Sequence, residues 1–350
     1  MLGSSFLAAI LAESNAPLIV DEAVLPNHLE AGQVLVKVRY SGICGAQINE
    51  IDAVKGPDTF LPHLLGHEGL GEVIATGALV NHVQPGDAVV LHWMPGDGFQ
   101  SDPARYQWRG QALNAGWVTT LSEITVVSSN RCTRINSTVD PHHLPLLGCA
   151  ATTAVGVISR DAGVGLGESV VVLGAGGVGL LVVEAARASG AYPIIAVDRV
   201  TERLTIASSM GAQATFEVMD EGDGLRNAIV DFLGRTPDVV IETSGARSMI
   251  ELSYRLVSKA GRTVLVGVPR HDEPARIDTL PLHFDTIMTG SKGGQTKPQI
   301  DIPRIARLAE VGMFRLDALP LTVLPLSDVN VGIDMVRAGA PGRVVIDMEQ

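Results

Sequence analysis

The stretch that most constrains this 350-residue chain is Ser169–Leu173, SVVVL, running into Gly174-Ala175-Gly176-Gly177-Val178-Gly179 and then into the helix-forming LLVVEAARASGA. A short apolar run closed by glycines and followed at once by helical residues reads as strand, tight turn and helix. Gly174 permits the turn, Gly176 lets the backbone approach a pyrophosphate, and Gly179 lets the helix pack close on the sheet. Gly177 and Val178 stand at the helix start, whose free N–H groups and positive dipole end face the phosphates. Asp198 closes the next apolar run, about 20 residues on, where a carboxylate can accept hydrogen bonds from an adenosine ribose. Glycines alone would suit any tight turn in an α/β sheet; strand, helix and spaced acid together predict a dinucleotide-binding unit. Asp198 would repel a 2′-phosphate, an effect Arg199 only partly offsets, so NAD is favoured over NADP.

The same alternation continues on both sides of Asp198. Strands are expected at Ile194–Val197, Val239–Glu242, Thr263–Val266 and Ile287–Gly290, and helices at Val178–Ser189, Glu202–Met210 and Met249–Val257. Strands alternating with helices imply a doubly wound parallel sheet of the Rossmann type. Residues 152–290 are therefore assigned to it. The first 151 residues instead alternate short β-rich segments with glycine and proline turns, as in Gln33–Tyr40, Gly71–Thr76 and Asp87–His92, and read as mainly β. A helix at Pro303–Val311 and a closing unit at Leu326–Ala338 and Arg343–Met348 are assigned back to this first domain, over 291–350. The polar, turn-rich segment Trp93–Gly116 reads as an excursion loop.

Hydrophobic residues at 46% against charged residues at 18% describe a packed globular chain. The net charge of −12 opposes binding to nucleic acid or to an anionic membrane, and no basic patch counters it. No apolar run approaches the ~20 residues that cross a bilayer, and the opening MLGSSFLAAILAES has no basic residue ahead of its apolar stretch. A cytoplasmic protein is expected. The three cysteines, Cys44, Cys132 and Cys149, are odd in number and widely spaced, which suits metal or catalytic use better than a disulfide framework.

SGICGAQ around Cys44, LLGHEGLGEV around His67 and PLLGCAATTAVG around Cys149, with the glycine motif following, resemble the zinc-containing medium-chain dehydrogenase family over essentially the whole chain. The resemblance implies a GroES-like fold for the β domain and one catalytic zinc on Cys44, His67 and Cys149. Two thiolates and an imidazole leave a fourth tetrahedral corner open for water or substrate. It further implies that zinc polarises an alcohol or carbonyl oxygen while hydride passes to or from nicotinamide, with small-molecule substrates and a homodimer or homotetramer. Glu68 becomes a carboxylate near the metal and Thr153 a support for the nicotinamide ring. His92 and Trp93 fall where the family lines its substrate pocket, Arg203 and Arg343 where it contacts ribose and pyrophosphate, and Val268 beside the cofactor. Each of these also has an ordinary structural reading. Cys132 matches no ligand position. The four cysteines that bind a second, structural zinc in many relatives have no counterpart in Trp93–Gly116, so one zinc per chain is expected.

Two departures bear on chemistry. The proton relay of many relatives uses a hydroxyl two residues after the first cysteine and a histidine three further on, where this chain has Ala46 and Asn49. The aspartate that orients the zinc-bound histidine is replaced by Gln47, whose amide oxygen could accept the imidazole N–H without bringing charge. The proton is then expected to leave through water, Glu68 or the substrate's own hydroxyls, and the polar Gln47, Asn49 and His92 suit a polyol, sugar or cyclitol. Two other readings stay open: reduction of an activated C=C bond or redox-neutral lyase or isomerase chemistry on the same scaffold, and a non-catalytic NAD-binding protein.

Overall fold

The structure is a computed structural model describing residues 1–54, 56–218 and 223–350. Two compact units are present: Met1–Cys149 with Lys297–Val311 and Leu321–Gln350, and Ala150–Thr296 with Gly312–Pro320. Among the described residues no helix is long and apolar enough to cross a membrane.

Among the described residues of the second unit, six parallel strands stand in the order Ala214–Glu217, Ile194–Asp198, Val170–Leu173, Val239–Glu242, Arg262–Leu265, Ile287–Gly290. Strand order reverses between Val170–Leu173 and Val239–Glu242, the point at which doubly wound sheets bind ligands. Strands covered on both faces must be apolar throughout, and Val170–Leu173 is buried at every residue. One side of the sheet packs Val171, Leu173, Ile195, Val197 and Val240 against Ile229, Met249, Leu252 and Leu256, each worth about 1.5–3 kcal/mol when fully buried. Thr263 lies inside the sheet, and Ile287–Gly290 forms the edge beyond it, with Ala214–Glu217 at the opposite edge.

The tail does not all return to the first unit. Arg315 reaches Glu184, a fully buried carboxylate on the helix Gly177–Ala188, with its backbone N–H (2.6 Å) and its guanidinium (2.8 Å), and Arg187 pairs with the same carboxylate. This cluster ties Gly312–Pro320 to the second unit. Apolar periodicity carries no trace of such a long-range charge pair.

The first unit contains a five-stranded and a seven-stranded sheet among the described residues. Gln33–Ile43 is the hub of the larger one, pairing with Glu68–Thr76, Ile124–Ser128 and Arg343–Asp347. The first strand, Ser5–Leu11, occupies what reads in sequence as a mere apolar stretch. Trp93–Gly116 is more ordered than an excursion loop: Tyr106–Trp108 and Gln111–Leu113 form a hairpin that joins the smaller sheet where Gln107 meets Val24. Its two turn residues, Arg109 and Gly110, both have positive φ (49° and 76°), the geometry whose twist matches paired strands. Asp21 accepts hydrogen bonds from Trp108 Nε1 and Arg109 Nε, both at 2.9 Å.

Candidate metal centre and dinucleotide site

Cys44 terminates the strand Gln33–Ile43 and caps the helix Gly45–Ile51, so its backbone is extended while the next residue is helical. His67 immediately precedes the strand Glu68–Thr76, which pairs with Gln33–Ile43. Cys149 ends the short helix Leu144–Gly148. Gly148 makes that approach possible, because a side chain there would run into the Leu91 carbonyl and lie 3.0 Å from Glu68 Cα. Three segments distant in sequence thereby bring Cys44, His67 and Cys149 together with their ligand atoms within 4.8 Å of one another. Cys149 beside it, with His67 and the positive Arg343, holds the Cys44 thiol well below the usual thiol range against the opposing cost of burial. Metals bind thiolate, so a cluster that favours the ionised sulfur fits a zinc ion.

Around these three, Gln47 accepts the Cys44 N–H with its Oε1 (2.6 Å) and places its Nε2 against His67 Nδ1. Glu68 is fully buried and forms an ion pair with Arg343, itself 6% exposed.

In the second unit Gly174 adopts φ +97°, and Thr243 Oγ1 donates to its carbonyl at 2.8 Å. Gly176 caps the helix Gly177–Ala188, and a Cβ built on it meets nothing within 4 Å. Open space beside a helix N-terminus is what a pyrophosphate requires. Asp198 lies at the end of the adjacent strand and is mostly buried; it accepts the Ala175 N–H at 2.7 Å and the Val200 N–H at 3.0 Å. Arg203 pairs with Asp198 at 3.4 Å, while Arg199 is exposed. Val268 is 53% exposed, and its backbone stands against Gly245.

Residues 30–137 match the alcohol dehydrogenase GroES-like domain, and residues 177–310 the zinc-binding dehydrogenase domain. The S-(hydroxymethyl)glutathione dehydrogenase of Synechocystis sp. is 30% identical over 97% of this chain and 98% of its own length. The chain belongs to the zinc-dependent medium-chain alcohol dehydrogenase family. Benzyl alcohol dehydrogenase from Acinetobacter calcoaceticus superimposes on this dehydrogenase with a TM-score of 0.89 at 25% identity, covering 98% of this chain and 99% of that one. A zinc-binding dehydrogenase from Sinorhizobium meliloti 1021 bound to NADP, also 25% identical, gives 0.80 over the same shares. The dehydrogenase is thus an enzyme of alcohol and ketone oxidoreduction.

The remaining side chains singled out in the sequence of this dehydrogenase have the following settings. Arg343, the residue that the resemblance sets at the pyrophosphate, is buried and paired with Glu68. His92 is 1% exposed, with Nδ1 at 2.7 Å from the Met94 carbonyl and Nε2 at 2.9 Å from Thr133 Oγ1. Burial pushes its pKa down to about 4, with the Met94 contact opposing and the nearby Arg131 guanidinium adding to the fall. Both nitrogens being engaged, it can form a wall but offers a substrate no free polar atom. Trp93 is half-buried and its carbonyl accepts Arg131 Nη1 at 2.7 Å. Asn49 is half-buried, Ala46 exposed and Thr153 buried. Cys132 is buried, and burial raises its thiol to about 12, in keeping with a structural residue.

The loop after Trp93, which carries no cysteine, is held by side chains that no sequence pattern singles out. Ser129 Oγ accepts the Phe99 N–H and Ser128 Oγ the Ser101 N–H, both at 2.9 Å. Arg131 donates to Gln100 Oε1 at 3.2 Å and lies over the Trp117 ring. A run such as SSNR has no periodicity or motif that announces a clasp.

Proposed function

We propose that this dehydrogenase transfers hydride between NAD(H) and a secondary alcohol or its ketone, using one zinc ion per chain held by Cys44, His67 and Cys149. The observation that carries the reading is the convergence of those three ligand atoms within 4.8 Å, beside which the Cys44 thiol is held well below its usual range. Zinc there supplies a Lewis acid for the alcohol or carbonyl oxygen, and nicotinamide supplies the hydride acceptor or donor. The chain's own residues do the rest. Arg343 compensates the charge of Glu68 inside the first unit, so the buried carboxylate does not compete as a free base. With Ala46 and Asn49 in the relay positions, the proton leaves through water or the substrate's own hydroxyls. Thr153 supports the nicotinamide ring and Trp93 lines the pocket.

The preference for NAD is supported by Asp198, which ends the strand Ile194–Asp198, where a carboxylate suits a ribose and would repel a 2′-phosphate. Gly174, Gly176, Gly177, Val178 and Gly179 receive the pyrophosphate, with Val268 beside the cofactor. Of the three polar side chains suited to a polyol, Gln47 and His92 are spent on protein partners, so Asn49 alone carries that preference. Self-association uses the free strand Ile287–Gly290 and the exposed Leu280, Leu282 and Phe284 beside it, an apolar edge that a second copy would cover.

Metal analysis of purified protein beside a Cys149→Ala variant tests the reading, followed by NAD-linked turnover on simple secondary alcohols and polyols. About one zinc per chain, lowered in the variant, is expected from a single three-residue site. Wild-type protein that takes up no zinc on repletion would overturn the proposal. Rates on simple alcohols matching those on every polyol would remove the polyol preference.

A further inference from the structure

The side chain of Gln47 carries two demands that one amide cannot meet together. It is 1% exposed, at the third position of the helix Gly45–Ile51, and its Oε1 accepts the N–H of Cys44, the helix cap. Its Nε2 faces His67 Nδ1. An amide nitrogen only donates, so in this arrangement Nδ1 is an acceptor and the ring hydrogen sits on Nε2, the nitrogen that Gln47 leaves for a metal. A metal on Nε2 requires its lone pair there, which moves the ring hydrogen to Nδ1. Two donors then face each other. Turning the amide by half a rotation would offer Oε1 to Nδ1–H but set Nε2 against the Cys44 N–H. One buried donor is orphaned in either orientation.

We propose that Gln47 is a metal-coupled positioning residue: its amide turns over when His67 binds zinc, releasing the Cys44 N–H and lowering zinc affinity relative to a carboxylate at the same place. The inference rests on the metal site proposed above. A carboxylate has acceptors on both sides and could hold the Cys44 N–H and Nδ1–H at once. Gln47→Glu keeps the length and shape of the side chain and changes only this capacity and the charge.

Zinc affinity is measured by chelator competition on wild type and Gln47→Glu, whose metal-free melting temperatures are compared to show that both are folded. Gln47→Glu is expected to bind zinc about 10- to 100-fold more tightly, the span typical of groups that orient a ligand. A second readout separates orientation from charge: hydrogen exchange and amide shift at Cys44, with and without zinc. In wild type the Cys44 amide should lose its hydrogen-bonded shift on zinc loading, and in Gln47→Glu it should keep it. Equal affinities overturn the proposal, and so does a wild-type Cys44 amide indifferent to zinc, even if the charged variant binds more tightly. Failure of both proteins to bind zinc would instead overturn the metal site itself.

Discussion

Gly176 and Gly179 stand three residues apart in one motif, yet the structure assigns them opposite consequences on substitution. Gly176 has φ −70° and ψ −175°, a conformation any L-residue adopts, and a Cβ there meets nothing within 4 Å. Gly176→Ala should therefore fold, with its lower unfolded-state entropy contributing up to about 0.4–1 kcal/mol in its favour. The added methyl occupies the space proposed for the pyrophosphate. Losing one charge-assisted hydrogen bond from the helix start costs about 1.5–3 kcal/mol, or roughly a 10- to 100-fold rise in the dinucleotide Kd. At Gly179 a Cβ would overlap the Gly174 carbonyl oxygen and lie 3.0 Å from Thr243 Oγ1. Gly179→Ala is then an overpacked core, worth about 1–3 kcal/mol of stability. NADH titration by calorimetry and thermal melting, run on both variants, separate the two effects. A Gly176→Ala protein that binds NADH as wild type does would refute the placement of the phosphates. One that unfolds easily would refute the reading of the space as empty for the fold.

Three further outcomes follow from the same geometry. Glu184→Ala removes the shared partner of Arg187 and Arg315; both arginines are about one-third exposed, so the loss should fall near 2–4 kcal/mol, below the full cost of breaking a buried pair, and urea unfolding would show it. His92 has a folded pKa of about 4 against 6.5 unfolded, so the unfolded chain takes the proton first as pH falls. Stability from this group is intact above about pH 6.5 and declines down to about pH 4, by about 3 kcal/mol; His92→Gln should flatten that part of the profile, and an unchanged slope would count against the burial argument. Asp198→Ala should narrow the preference for NAD over NADP at least tenfold in kcat/KM, whereas an unchanged ratio would place the ribose elsewhere.

Local patterns made much of this protein legible without coordinates. The strand, glycine turn and helix at 169–189 are specified within one window, because turn chemistry and apolar period are local properties. The segments around Cys44, His67 and Cys149 pointed to a metal through their resemblance to the zinc-containing family, before the convergence of the three residues was visible. Side-chain partnerships were not legible. Nothing near Arg343 in the chain tells that it pairs with Glu68, or that Arg315 belongs with Glu184 in the second unit. His92 looked available to a substrate, and only the positions of Met94 and Thr133 show both its nitrogens engaged. Gln47 was readable as a neighbour of the imidazole, but its simultaneous hold on the Cys44 N–H depends on where the helix begins. The division has one physical reason. Backbone conformation is decided by neighbours a few residues away, whereas a buried polar atom must find a partner wherever the packed chain has brought one.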